Sequence, residues 1–277
     1  MEVRYLPNQD VYQRMTTEEL RQAFVLDRLF VPGEVSMVYC DADRAIVGGA
    51  VPGKTPLALK ATRKEMAAEY FAERREIGIV NIGSRGSVRV DGKDYPLATR
   101  DMLYIGRGSK SVEFLSERPD DPAVFYLVSF PAHTAYPVSL ARFSDAERSE
   151  LGDAPGSNKR TINKMIHAGG AKSCQLVMGL TELEEGSVWN TMPPHTHQRR
   201  MEVYLYYGLE GDSLVVHLMG KPDATRSLML RNRQAVISPS WSIHCGAGTR
   251  NYAFVWAMGG ENQEFSDMDP AGMAELR

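Results

Sequence analysis

The 277-residue chain has only three cysteines, Cys40, Cys174 and Cys245, far apart and without a C-x-x-C pair. That argues against a disulfide framework and points to a reducing cytoplasm. Charge of one sign is also lacking. Against 35 Asp+Glu stand 32 Lys+Arg, a net charge of −3 with no basic footprint for nucleic acid. No apolar run reaches the roughly 18 residues of a membrane span. The polar residues 1–10 lack the apolar core of a secretory signal. Neither nucleic acid nor membrane is therefore expected as a partner. Histidine is scarce too, at six residues, so any cluster of them is informative.

What is present is ordinary globular composition, 43% hydrophobic and 24% charged, with length for one large or two modest domains. Short β-type runs separated by Gly, Pro and Asp dominate. In the first half they fall at 34–40, 44–51, 77–82, 87–91, 102–105 and 124–130. In the second they fall at 174–181, 202–207, 213–219, 226–230, 234–238 and 252–258. This spacing reads as an all-β sandwich or barrel. Asp91-Gly92, flanked by Val88, Val90 and Tyr95, is a type I′ hairpin signal. Thr16 with Glu19 predicts a capping box for a helix through Leu20 and Phe24, and Ser144 with Glu147 predicts a short helix over 146–151. The polar stretch 152–158 is the expected linker, dividing a domain at 1–151 from one at 152–277. Arg74-Arg75-Glu76 is echoed by Arg199-Arg200-Met201-Glu202, and 101–108 by 234–241. The echoes predict a duplicated barrel.

The chemistry concentrates in 186–208. His195 and His197 are two apart, so on a strand both imidazoles share one face, about 6.6 Å apart at Cα. Glu202 lies five beyond His197 and reaches that face only if a turn or bulge interrupts 198–201. Beyond the break, Glu202, Tyr204 and Tyr206 share a face. His244, in Pro239-Ser240-Trp241-Ser242-Ile243-His244, follows another strand. Three imidazoles and a carboxylate make a borderline-soft site for Zn, Fe, Mn, Ni or Co.

These residues carry a resemblance. G-x8-H-x-H-x4-E-x5-G, from Gly186 to Gly208, resembles the first cupin motif, and Pro239-x4-His244 the second. Trp241 stands where the motif has glycine, and Gly248 where it has asparagine. Further runs, among them Arg160-Thr161-Ile162-Asn163-Lys164, Trp189-Asn190-Thr191-Met192-Pro193 and Gly260-Glu261-Asn262-Gln263, make the chain similar over nearly its whole length to the 5-dehydro-4-deoxyuronate isomerases, also called 4-deoxy-L-threo-5-hexosulose-uronate ketol-isomerases. The resemblance implies two cupin barrels, one zinc per chain on His195, His197, Glu202 and His244, a hexamer, and aldose–ketose isomerisation of a small anionic sugar acid in pectin or polyuronate breakdown. It leaves open another uronate isomerase, such as one for 5-deoxyglucuronate, a ferrous dioxygenase, or a sugar-binding cupin without catalysis.

A uronate needs a cation for its carboxylate. Arg199 and Arg200 are the first candidates, then Arg160 and Lys164. No catalytic base is identified; Tyr204, Tyr206, Glu182 and Glu261 are the groups that folding can bring near, and they favour proton transfer through an enediol over a hydride shift. His217 is expected to be a strand histidine, His133 and His167 to be exposed, and Cys245 to pack away from the metal. Ser111 aligns with His244, so the first barrel is expected to hold no metal.

Overall fold

The computed structural model describes residues 1–277 and contains strands with few, short helices. By internal contacts it forms two compact units. One comprises Met1–Arg4, Arg28–Glu147 and Met165–Met178, the other Tyr5–Asp27, Arg148–Lys164 and Gly179–Arg277. Two segments thus lie across the linker from where chain order would put them, and each has a physical hold. In the second unit, Thr16 caps the helix Thr17–Phe24 with Glu19 in a capping box, the helix buries Leu20 and Phe24, and Val25 pairs with Val236. In the first unit, the buried Glu76 carboxylate accepts the N–H groups of Cys174, Gln175 and Leu176 at 2.6–2.9 Å, and the Tyr104 hydroxyl at 2.8 Å. Bonds to an ionised acceptor are among the stronger ones in a protein.

Each unit carries a seven-stranded and a four-stranded sheet with the same strand order. In the first, the large sheet runs Glu2–Arg4, Val35–Cys40, Ile46–Ala50, Phe125–Pro131, Arg75–Asn81, Met102–Ile105 and Ser139–Ala141. The other large sheet runs Glu147–Leu151, Arg160–Ile166, Val177–Leu183, Ala253–Gly260, Arg200–Tyr207, Gln234–Ser238 and Val25–Leu26. The duplication extends to register: Ile77 faces Ile105 as Glu202 faces Ser238, so Ile77 occupies the glutamate's position and Arg75 that of Arg200. The Asp91-Gly92 turn has both φ angles positive, 49° and 82°. It joins Gly86–Val90 to Lys93–Leu97 in a two-residue hairpin, as a type I′ turn demands. One expected element changes class. Glu147–Leu151 is an edge strand, not a helix, mostly exposed and preceded by the 3-10 turn Phe143–Asp145. Five residues with one large apolar side chain cannot support an isolated helix, whereas sheet pairing supplies the missing hydrogen bonds.

The two interiors differ. Ile77, Ile79, Leu103, Ile105, Phe114 and Leu127 fill the first with aliphatic and aromatic side chains. In the second, the corresponding face bears Glu202, Tyr204 and Tyr206, with His217 and His244 also fully covered. Polar side chains buried at this density need partners or a ligand.

Candidate metal centre

The short strand His195–Thr196 pairs with Asp269–Pro270, and the chain then turns, with the Arg200 N–H on the His197 carbonyl at 3.1 Å. That turn is the break the spacing requires. It lets Arg200–Tyr207 start in a new register, with Glu202 opposite Met258 and Ser238. His244 enters on Ile243–Gly248 after a turn closed by Ser242 N–H to Pro239 O. Trp241, where the motif has glycine, packs its ring on Tyr12 at 4.8 Å and Phe24 at 6.4 Å. The departure therefore serves the N-terminal helix and leaves the ligands in place.

His195, His197, Glu202 and His244 converge so that one ligand atom from each lies within 4.8 Å of all the others. Around the group, His195 Nε2 to His197 Nε2 is 3.1 Å, His197 Nε2 to Glu202 Oε2 3.0 Å, Glu202 Oε2 to His244 Nε2 2.8 Å and His244 Nε2 to His195 Nε2 3.2 Å. The other ring nitrogen of His197 faces the Asp267 carbonyl at 2.9 Å. Donation there puts the His197 lone pair on Nε2, toward the cluster. Three imidazole nitrogens and a carboxylate oxygen directed at one point are the donor set a divalent ion takes. Burial, reinforced by His244 and His197, pulls the His195 pKa down to about 2. Burial alone would raise Glu202, but His244 and His197 outweigh it and hold the carboxyl below its usual range. Neutral imidazole and ionised carboxylate are the forms that bind metal.

The cluster opens on a cavity of about 210 Å³. Its polar wall is Arg160, Thr181, Thr191, His195, His197, Glu202 and Tyr204; Leu151, Ile162, Phe254, Trp256, Met258, Phe265 and Met268 make much of the rest. Arg160 lines it with one N–H on the Asn158 carbonyl at 2.8 Å and no carboxylate partner. Burial lowers its pKa. The other three expected anchors are engaged elsewhere. Arg199 forks onto Asp267 and Asp269 at 2.7–3.1 Å. Arg200 is buried behind His197 and donates to the Asp267 carbonyl at 2.7 Å. Lys164 sits over the Phe265 ring at 4.7 Å. None of the three lines the cavity. Of the groups considered as bases, Tyr204 alone reaches it, its hydroxyl 3.1 Å from Thr191 Oγ1. Its pKa is pushed well up by burial and by Glu202. Tyr206 instead meets His217 Nδ1 at 2.8 Å, and Glu182 and Glu261 lie outside the cavity wall. Asp267, Asp269, Phe265 and Met268 went unseen in the sequence. Nothing local in Phe265-Ser266-Asp267-Met268-Asp269 tells which cation or cavity it will meet.

The remaining histidines separate clearly. His133 is exposed, while His167, expected exposed, is largely covered and stands 3.8 Å from Glu147. His217 is fully buried and burial, with His244 adding, lowers its pKa to about 3. Below its ordinary value of 6.5 the unfolded chain takes up a proton that folded His217 refuses. Stability should therefore fall as pH drops from about 6.5 toward 3. Melting curves between pH 7 and 4 should show His217→Gln losing less Tm than the parent; parallel profiles would remove His217 from the acid response.

The profile of the KduI/IolB family matches residues 28–272. Over the full length of both chains, the sequence is 52% identical to a protein of Caldicellulosiruptor bescii and 50% identical to one of Bacillus subtilis, each named 4-deoxy-L-threo-5-hexosulose-uronate ketol-isomerase. The chain belongs to the KduI/IolB family. Among solved structures, an IolB-like protein of Salmonella typhimurium superposes with a TM-score of 0.71 at 13% identity, covering 90% of this chain and 96% of that one. Bacillus subtilis oxalate decarboxylase, a protein with Mn(II) centres, superposes at 0.55 and 9% identity, over 80% and 70% of the two chains. Both likenesses concern the fold alone, which is the all-β, two-barrel cupin arrangement of the family.

Proposed function

We propose that this member of the KduI/IolB family is a ketol-isomerase whose second barrel converts 5-dehydro-4-deoxy-D-glucuronate, the 4-deoxy-L-threo-5-hexosulose uronate of its relatives' names, to 3-deoxy-D-glycero-2,5-hexodiulosonate. One observation carries the reading. A convergent His3Glu group shares a small cavity with one arginine that has no carboxylate partner, as a reaction at one end of an anionic sugar acid requires. The ligands would be His195, His197, Glu202 and His244. Zinc suits them, and a bound divalent ion would act as a Lewis acid on the substrate's carbonyl and adjacent hydroxyl. Arg160 would hold the substrate carboxylate. Arg200 and the Asp267 carbonyl position His197, and Arg199 ties Asp267 and Asp269 to the start of the ligand strand.

The cavity wall changes the expected hydrogen transfer. A base for the C2 proton would have to be Tyr204 or a metal ligand, and a phenol whose pKa is raised well above 10 is a poor base. Aromatic and aliphatic side chains make up much of the wall, so few groups there can accept a proton from carbon. That favours a direct hydride shift from substrate C2 to C1, with the C2 hydroxyl proton passing to the former aldehyde oxygen and the Tyr204 hydroxyl available to donate a hydrogen bond to a substrate oxygen. The first barrel would hold no metal and support the fold. Pectin or polyuronate breakdown, a hexameric assembly and a cytoplasmic setting belong to the same proposal; the last is supported by three unpaired cysteines.

Turnover of the uronate in D₂O tests both levels. Substrate should disappear with formation of one isomer, without oxygen consumption, and NMR should find little deuterium at the CH₂OH carbon of the product, which was C1 of the substrate. Oxygen dependence would indicate a dioxygenase, and absence of turnover a binding protein. Isomer carrying one full deuterium at that carbon would restore the enediol route, with Tyr204 or a metal ligand as the base.

A further inference from the structure

In the first unit, a second cavity, about 500 Å³, is walled by Tyr39, Arg44, Lys64, Phe71, Arg74 and Arg75 among others. Arg75 lies two residues before Ile77, hence on the same face of its strand as the interior side chains, and directly opposite Pro131, another wall residue. It is only 8% exposed. Its Nε and Nη2 donate to Ser129 at 3.1 and 2.8 Å and Nη2 also to the Arg44 carbonyl. All of these acceptors are neutral, and Nη1 donates to none. Its counterpart by register in the second unit, Arg200, is buried among protein groups; Arg75 faces a cavity.

Charge around this cavity is one-sided. Arg44 and Lys64 form no ion pair. Arg74 pairs with Glu73 at 3.1 Å. The single acidic wall residue, Glu65, is already taken by the N-terminal ammonium at 2.7 Å and the Thr62 hydroxyl at 2.8 Å. Burying a guanidinium without an anion is costly, and burial accordingly draws the Arg75 pKa down to about 10, leaving it charged at neutral pH. A planar fork with an unused N–H arm suits the oxygens of a carboxylate or phosphate. Tyr39, Phe71 and Met66 add an apolar wall, which suits a carbon skeleton better than a bare ion, and the volume is that of a small-molecule pocket.

We propose that the first barrel binds a small organic oxyanion, a sugar acid or sugar phosphate, with its charged head on Arg75 and with Arg44 and Lys64 drawing it in. Calorimetric titration of the full-length protein with inorganic phosphate, D-glucuronate, glucose 6-phosphate and uncharged glucose tests this. Either organic anion should bind, more weakly as salt rises, and glucose should not; the tighter of the two names the head group. The Arg44→Ala/Lys64→Ala double variant, altered only at exposed positions, should lose about tenfold or more in affinity, a change of roughly 1.4 kcal/mol, while its isomerase kinetics stay at the parent level. Arg75→Gln should lose at least as much, and the double variant decides the matter if Arg75→Gln does not fold. The proposal fails if no anion binds at tens of millimolar. It fails equally if binding is unchanged in the double variant, placing it at the other barrel, or if that variant changes assembly size and not affinity.

Discussion

Purified protein should carry about one divalent transition metal per chain, and His195→Ala and His244→Ala should each retain little of it. The single donor group in the structure, in the second barrel, sets the stoichiometry. Even the outer partners of metal ligands typically cost about 10–100-fold in affinity when removed, so loss of an imidazole from the inner set should exceed that. Isomerase activity should fall by more than about 10²-fold in both variants. Elemental analysis after gel filtration, compared with activity, is the check. Two equivalents per chain, or undiminished metal in both variants, would mean that these four residues are not the ligands. His217→Gln is a useful companion, because it alters a buried histidine of the same barrel that lies outside the donor group and should leave metal content intact.

The second large effect concerns the substrate carboxylate. Arg160→Ala should raise KM by roughly thirtyfold or more, the lower end of the 2–5 kcal/mol that truncating one member of a buried charge pair costs. The lower end applies because Arg160 is only half-buried. Arg160→Lys should recover part of the loss, since an ammonium keeps the charge but not the fork. Arg199→Ala offers the contrast. Its guanidinium already serves two aspartates, so its loss should loosen the 262–270 segment and weaken metal retention while leaving the KM of the fully metal-loaded enzyme near the parent value. Steady-state kinetics of the three variants, each with metal content measured, separates the roles. A KM within about threefold of the parent for Arg160→Ala would place the anchor elsewhere.

The all-β class was legible in the chain from strand periodicity, and the shared face of His195, His197 and Glu202 from local spacing. The cupin assignment came from the resemblance of two short motifs, the second of which holds His244. A two-residue strand repeat, a forced break over 198–201 and a motif after a proline are all short-range patterns. The helix at Thr17–Phe24 and the Asp91-Gly92 hairpin are equally local, set by a capping box and by a turn that only certain residues tolerate. Local pattern failed at Glu147–Leu151, where an edge of a sheet supplied hydrogen bonds that no helix cap could match. It also could not rank the four cations. Arg199 and Arg200 stand next to the ligands in sequence, yet their charge is spent on Asp267, Asp269 and the Asp267 carbonyl, some seventy residues away. Arg160, distant in sequence, is the one left without an acid on the cavity wall. The same holds for Glu76 and Arg75, adjacent residues on one strand. Alternation sends the first outward to gather three backbone N–H groups and the second inward to a basic cavity. By itself, the sequence determined which side chains can act and which neighbours share a face. Which of them keep free charge or reach the substrate was decided by tertiary structure, because burial and long-range pairing depend on segments that only folding brings together.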